Sequence, residues 1–97
     1  MKELTEETFN EALTGKSVVD FMASWCGVCK MLHPKLEETS LKFPTIKFYL
    51  VDVDKCPGLA EKYLVGHLPT LVMLEEGQEV MRGSFDVLAK LGEKCSK

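Results

Sequence analysis

Val18-Val19-Asp20-Phe21-Met22-Ala23-Ser24-Trp25-Cys26-Gly27-Val28-Cys29-Lys30 decides the fold. Ser17 to Ala23 is a short apolar run with β-branched residues, and it reads as a buried strand interrupted by Asp20. After Trp25 the period changes. Cys29, Leu32 and Leu36 recur on one helical face, with Glu37, Glu38 and Lys42 on the other, which predicts a helix from near Cys26 to about Lys42. Pro34 falls inside it, removes one intrahelical bond and is expected to kink it. A strand therefore ends and a helix opens on a cysteine.

That position has chemical consequences. A helix N-terminus carries unpaired N–H groups and about half a positive charge. Both favour thiolate over thiol, so Cys26 is expected to have a lowered pKa and to be nucleophilic near neutral pH. Cys29 lies one turn later on the buried side, placed to attack a mixed disulfide formed at Cys26. Lys30 adds positive charge near Cys26. Two other readings compete: half of a zinc site, or inert thiols. A structural zinc site needs four ligands. The chain has no second C-x-x-C and no H-x-H, and a set using His33 would need Cys56 from far along the chain.

Composition narrows the class. Ninety-seven residues make one domain, expected over 1–97. Apolar residues are 45% and charged residues 28%, enough for a core without disulfide staples. The net charge is −3, and Arg82 is the one arginine, so no basic patch suits nucleic acid. The N-terminal MKELTEETFNEAL lacks the apolar run of a signal peptide, and no segment reaches the ~20 apolar residues of a membrane span. A cytoplasmic, reducing setting and a monomer are expected. There a C-x-x-C pair is catalytic or metal-binding rather than a permanent staple.

The remaining elements follow from local signals. Residues 2–4 read as a marginal edge strand. Thr5 looks like an N-cap, with Glu6 and Glu7 in the first turn and Phe9, Ala12 and Leu13 on an apolar face, and Gly15 ends this helix. Ile46 to Val51 is a second central strand, running into Asp52-Val53-Asp54. Pro57 opens a short helix through Leu64. Thr70 to Leu74 is a third strand, Glu76-Gly77 a turn, and Glu79 to Arg82 its hairpin partner. Phe85, Leu88, Leu91 and Cys95 mark a last helix, weakened by Gly92, with Cys95 in a fraying turn. The order βαβαβαββα, without repeats or low-complexity stretches, predicts a mixed sheet flanked by helices.

At this point the chain resembles thioredoxins. The match is carried by Val19-Asp20-Phe21, Ala23-x-Trp25-Cys26-Gly27-x-Cys29-Lys30, Pro34, Val51-Asp52-Val53-Asp54, Leu68-Pro69-Thr70, Glu76-Gly77 and Gly83, in the family's order and near its spacing. A lone C-x-x-C is a weak signal; with Asp20, Pro34 and the distant Leu68-Pro69 it is specific. The resemblance implies an α/β thioredoxin fold, a single domain with a central mixed four- to five-stranded sheet and four flanking helices. It implies reduction of protein disulfides through a Cys26–Cys29 dithiol, with no bound cofactor or metal and a flavin- or ferredoxin-linked thioredoxin reductase to restore the dithiol. A glutaredoxin-like or isomerase-like protein is the alternative within the class. A metal-binding or redox-silent docking module is the alternative outside it.

The resemblance also assigns roles. Asp20 would be the general base for Cys29. The family often has a lysine where this chain has Leu50, so the Asp20 pKa is expected to be raised by desolvation. Pro69 would be a cis proline facing the dithiol, with the Leu68 backbone pairing to an extended substrate. Trp25, Gly27, Val28, Leu68, Pro69 and Gly83 would surround Cys26 with a small apolar docking surface. His67 and Arg82 stand where the family often has small or apolar residues and would bias docking. His33 would tune Cys29 or Asp20. Val28 replaces the family's common proline and restores an N–H near the Cys26 sulfur. Cys56, at a helix start, is either a plain free thiol or a site of oxidation.

Overall fold

The computed structural model describes the backbone of residues 1–95 and the side chains of residues 1–92. Five strands are present, β1 (Lys2–Leu4), β2 (Lys16–Met22), β3 (Ile46–Asp52), β4 (Thr70–Glu75) and β5 (Gln78–Gly83). They are joined by a 3-10 helix (Phe9–Leu13) and by α1 (Gly27–Lys42), α2 (Pro57–Lys62) and α3 (Phe85–Cys95). Cys95, expected in a fraying turn, lies outside the described residues as far as its side chain is concerned.

The strand order is β1-β3-β2-β4-β5. β2 is central, parallel to β3 and antiparallel to β4. The antiparallel pairing places Phe21, near the end of β2, beside Thr70, at the start of β4. The turn after β2 and the turn before β4 therefore lie at one edge of the sheet. The first leads through Cys26 into the helix that holds Cys29, and the second carries Pro69.

Alternation along β2 divides the core. Val19 and Phe21 join Phe9, Ala12, Leu59 and Val72 on one face. Val18 joins Leu32 and Leu36 of α1 and Val87 and Leu91 of α3 on the other. Burying a Leu or Phe in this way contributes roughly 1.5–3 kcal/mol each. Asp20 shares the parity of Val18, so it stands on the face that α1 covers. Its neighbours in register are Leu50 on β3 and Leu71 on β4, both uncharged.

Local differences from the expected elements have local causes. The Thr5 N–H donates to Thr8 Oγ1 at 2.9 Å, and the Thr8 N–H reaches the Thr5 carbonyl at 3.2 Å. This closes a turn ahead of the helix, so Thr8 rather than Thr5 occupies the N-cap. Six residues then remain before the positive-φ Gly15, and five of them wind as a 3-10 helix. α2 stops at Lys62, short of Leu64, because Leu64 turns left-handed (φ 53°) and the Val65 N–H bonds back to the Ala60 carbonyl at 2.9 Å. The Glu76-Gly77 turn has φ of 50° and 81°. Both values suit a two-residue hairpin, and only glycine adopts the second without strain. α1 runs through Pro34 to Lys42, with Lys30's carbonyl deprived of its usual partner.

Candidate functional site

Cys26 is the N-cap of α1, and the Cys29 N–H donates to its Sγ at 3.1 Å. The expectation had given this role to Val28, but the observed donor is one residue further on. An N-cap side chain bonds the second or third helical N–H, and Cys29 is third. The Cys26 N–H donates to the Ala23 carbonyl at 3.1 Å, fixing the turn. Cys26 and Cys29 form a disulfide, with their Cα atoms 5.3 Å apart. The helix N-terminus and the N–H at Sγ favour negative charge on Cys26 once that bond is reduced.

The two sulfur-bearing residues open onto different cavities. Cys26 lines a groove of about 410 Å³, together with Trp25, Val53, Pro57, Ala60 and Val65 to Leu68. Cys29 lines a smaller cavity of about 110 Å³ with Asp20, Met22, Ala23, Ser24, Lys30 and His33. One residue faces the groove and the other shares a cavity with Asp20.

Asp20 is 1% exposed, and its Oδ1 has no hydrogen-bond partner among the described residues. Burial pushes its carboxyl from the ordinary 3.8 up to about 7, and the charge of His33 opposes the rise. The raised value expected from sequence is present, with uncharged Leu50 in register beside Asp20 on β3, so His33 alone opposes the effect of burial. A group titrating near neutrality beside a buried thiol is suited to take and return that thiol's proton.

The Leu68–Pro69 peptide is cis, Pro69 is buried, and Leu68 packs against the cluster of Ala23, Cys26 and Cys29. Thr70 Oγ1 donates to the His67 carbonyl at 2.7 Å, which holds the turn from inside. Trp25 is 69% exposed, and its Nε1 donates to Asp54 Oδ2 at 2.8 Å. Val28 and Met31 are also exposed on the dithiol's helix. Gly27 is exposed at the first position of α1, and Gly83 ends β5 in register with Leu71. Gly27, Val28, Pro69 and Gly83 do not line the groove; Trp25 and Leu68 do.

Contacts fix where the remaining candidates sit. Arg82 is not free to select partners. Its Nη2 donates to the Tyr63 carbonyl at 2.6 Å, its Nη1 to that of Leu64 at 3.4 Å, and its guanidinium pairs with Glu79 at 2.8 Å. Lys30 lines the cavity on the Cys29 side rather than the groove at Cys26. Cys56 is buried, with Sγ 3.8 Å from the Leu4 carbonyl. Burial, then Glu6, Asp52 and Glu3, push its thiol pKa up, so it is a poor site of oxidation. His67 does line the groove and is exposed. Among the described residues no group of three or more His, Cys, Asp or Glu side chains is placed to hold a metal ion.

Sequence reasoning missed the groove's far wall. Val53, Pro57, Ala60 and Val65 carry no reactive group, and only the tertiary fold brings them to one groove with Cys26. It also missed Asp54 as the partner of Trp25, 29 residues away.

A dithiol capping a helix, with an acid behind one sulfur and a groove before the other, can pass two electrons to a disulfide. Chemistry of this kind defines the thiol–disulfide oxidoreductases. The thioredoxin family model matches residues 1–90. An H-type thioredoxin of Fagopyrum esculentum is 49% identical over 65 residues, which are 67% of this chain and 56% of that protein. A thioredoxin of Chlamydia trachomatis is 40% identical over 80 residues, 81% of this chain and 78% of its own. The solved thioredoxin of Fasciola hepatica superposes with a TM-score of 0.82 at 38% identity, over 99% of this chain and 97% of that one. The chain belongs to the thioredoxin family. It is a protein-disulfide reductase, and the comparisons favour neither the glutaredoxin-like nor the metal-binding alternative.

Proposed function

We propose that the chain, acting as one domain over residues 1–97, reduces disulfides of proteins docked in the groove beside Cys26. The observation that carries this is the opening of Cys26 onto the groove and of Cys29 onto the cavity with Asp20. The Cys26 thiolate attacks a substrate sulfur, the other substrate sulfur leaves with the electron pair, and a mixed disulfide forms. Asp20 then takes the proton of Cys29. The Cys29 thiolate attacks Cys26 Sγ and releases the second substrate sulfur. Two electrons have moved, and the chain is left with the Cys26–Cys29 disulfide. Trp25 and Val28 supply apolar contact beside the nucleophile, and the Leu68 backbone before cis Pro69 aligns an extended peptide. Gly27 and Gly83 keep the surroundings of the dithiol low. No bound cofactor takes part. A thioredoxin reductase, flavin- or ferredoxin-linked, returns the electrons, so the chain works in electron transport and redox homeostasis. A reducing compartment such as the cytoplasm suits a catalytic pair beside a free Cys56. The acting form is a monomer.

Insulin disulfide reduction, coupled to candidate reductases, tests the reading. Trp25, the single tryptophan, adjoins Cys26, and its fluorescence is expected to change when the dithiol forms. A chain that reduces no insulin and shows no such change lacks this activity. Val28→Pro removes an N–H from the first turn of α1, weakening the positive field at the thiolate. It is expected to make the protein more reducing by tens of millivolts, since about 30 mV corresponds to 1.4 kcal/mol in this couple. Equilibration with glutathione measures it, and an equal or higher potential in the variant contradicts the argument.

A further inference from the structure

We infer that His33 is the proton outlet of Asp20, reached through the 110 Å³ cavity that both side chains line. The inference rests on the reading above, in which Asp20 accepts the proton of Cys29. In that step the Cys29 electron pair forms the new S–S bond, the substrate sulfur leaves with the pair of the broken one, and Asp20 is left neutral. Before it can act again the proton must go to solvent. An Asp20 that already holds a proton near neutral pH must likewise pass it to solvent before it can take that of Cys29, so the outlet bears on the resolving step itself.

The routes out are few. Leu50 and Leu71 flank Asp20 in the sheet and offer no polar atom from their side chains. The open side is the cavity, with room for water at about 30 Å³ per molecule. The titratable groups that face it are Asp20 from β2 and Cys29, Lys30 and His33 from α1. A lysine ammonium only donates, whereas an imidazole both accepts and releases a proton near neutral pH. The His33 side chain is 41% exposed, and its Nε2 lies 2.6 Å from Glu37 Oε1 at the surface. The His33 side chain thus lines the cavity and is also partly open to solvent. Its charge also lowers the Asp20 pKa against the effect of burial. It supplies part of what a lysine at position 50 would have supplied.

The test follows Trp25 fluorescence in stopped flow as the reduced full chain meets a peptide disulfide. The ratio of the resolving rate to the rate of mixed-disulfide formation is compared across variants. His33→Gln is expected to lower that ratio about fivefold at pH 7, a fraction of the effect of removing a general base. The Asp20 midpoint, read by carbon-detected NMR, is expected to move up. Added imidazole is expected to restore the ratio in His33→Ala. His33→Lys keeps a cation, so it restores the midpoint while the ratio stays low. An unchanged ratio in His33→Gln overturns the inference, as does a full recovery of the ratio in His33→Lys. A lowered ratio with an unmoved midpoint and no rescue by imidazole marks a merely structural role and overturns it too. If the wild-type chain itself reduces no disulfide, it is the proposed function that fails.

Discussion

Cys29→Ser is expected to stop turnover and to trap the substrate. The variant keeps Cys26 at the N-cap of α1, so the first attack still occurs and one equivalent of mixed disulfide accumulates. Serine cannot complete the step, because an alkoxide is far less accessible than a thiolate at neutral pH. Reduction of insulin should fall by on the order of 10³-fold or more, in line with the loss of a covalent participant. Mass spectrometry under non-reducing conditions checks the adduct, and dithiothreitol should release it. Continued turnover without an adduct would falsify the division of labour between the two sulfurs. The companion Cys26→Ser should lose both turnover and adduct, since the remaining sulfur faces the inner cavity and not the groove.

The second large effect is on stability. The Asp20 carboxyl titrates at about 7 in the folded oxidised chain, against an ordinary 3.8. Between those values the folded state binds a proton that the unfolded state has released. Its contribution is therefore most favourable below the unfolded pKa and is lost as pH rises through the folded one. Three units correspond to a penalty on the order of 4 kcal/mol for holding the charged form above pH 7. Asp20→Ala removes the penalty. The oxidised variant is expected to be more stable than wild type at pH 8 by on the order of 3 kcal/mol, and the gain should vanish at about pH 2.5, where both states are protonated. Urea unfolding at the two pH values measures the difference. A gain independent of pH would mean that Asp20 ionises in the fold as readily as in water. The same variant is expected to slow the resolving step, so stability and rate move in opposite directions.

Much of this was legible in residue order because local signals agree. The apolar run of β2, the helical spacing of Cys29, Leu32 and Leu36, and Glu76-Gly77 each name one structure. Cys26 at a strand-to-helix junction is itself a local statement. The cis state of the peptide before Pro69 came from the resemblance alone, since most such bonds are trans. What the residues did not disclose depends on distant partners. Phe9 to Leu13 lost its α-helical character to a Thr5–Thr8 turn that competes for the same N–H groups. Arg82 read as a residue that would bias docking, and its bonds to the end of α2 were not foreseen, because the ends of α2 and β5 meet only after the sheet has assembled. The groove wall of Val53, Ala60 and Val65 is apolar surface of the commonest kind, and only tertiary packing brings it to Cys26.

The commitment of Arg82 bears on who adapts to whom. Its guanidinium ties the two carbonyls that close α2 to a strand of the sheet, between the residues that line the groove. The far wall is thus moored to the sheet and does not ride on a six-residue helix alone. A docked segment meets a surface already in its bound shape and must bear the ordering entropy itself. Disulfides in loops that can be drawn out and straightened meet that demand at small expense, while those locked in rigid frameworks do not. In each encounter the other molecule does the bending.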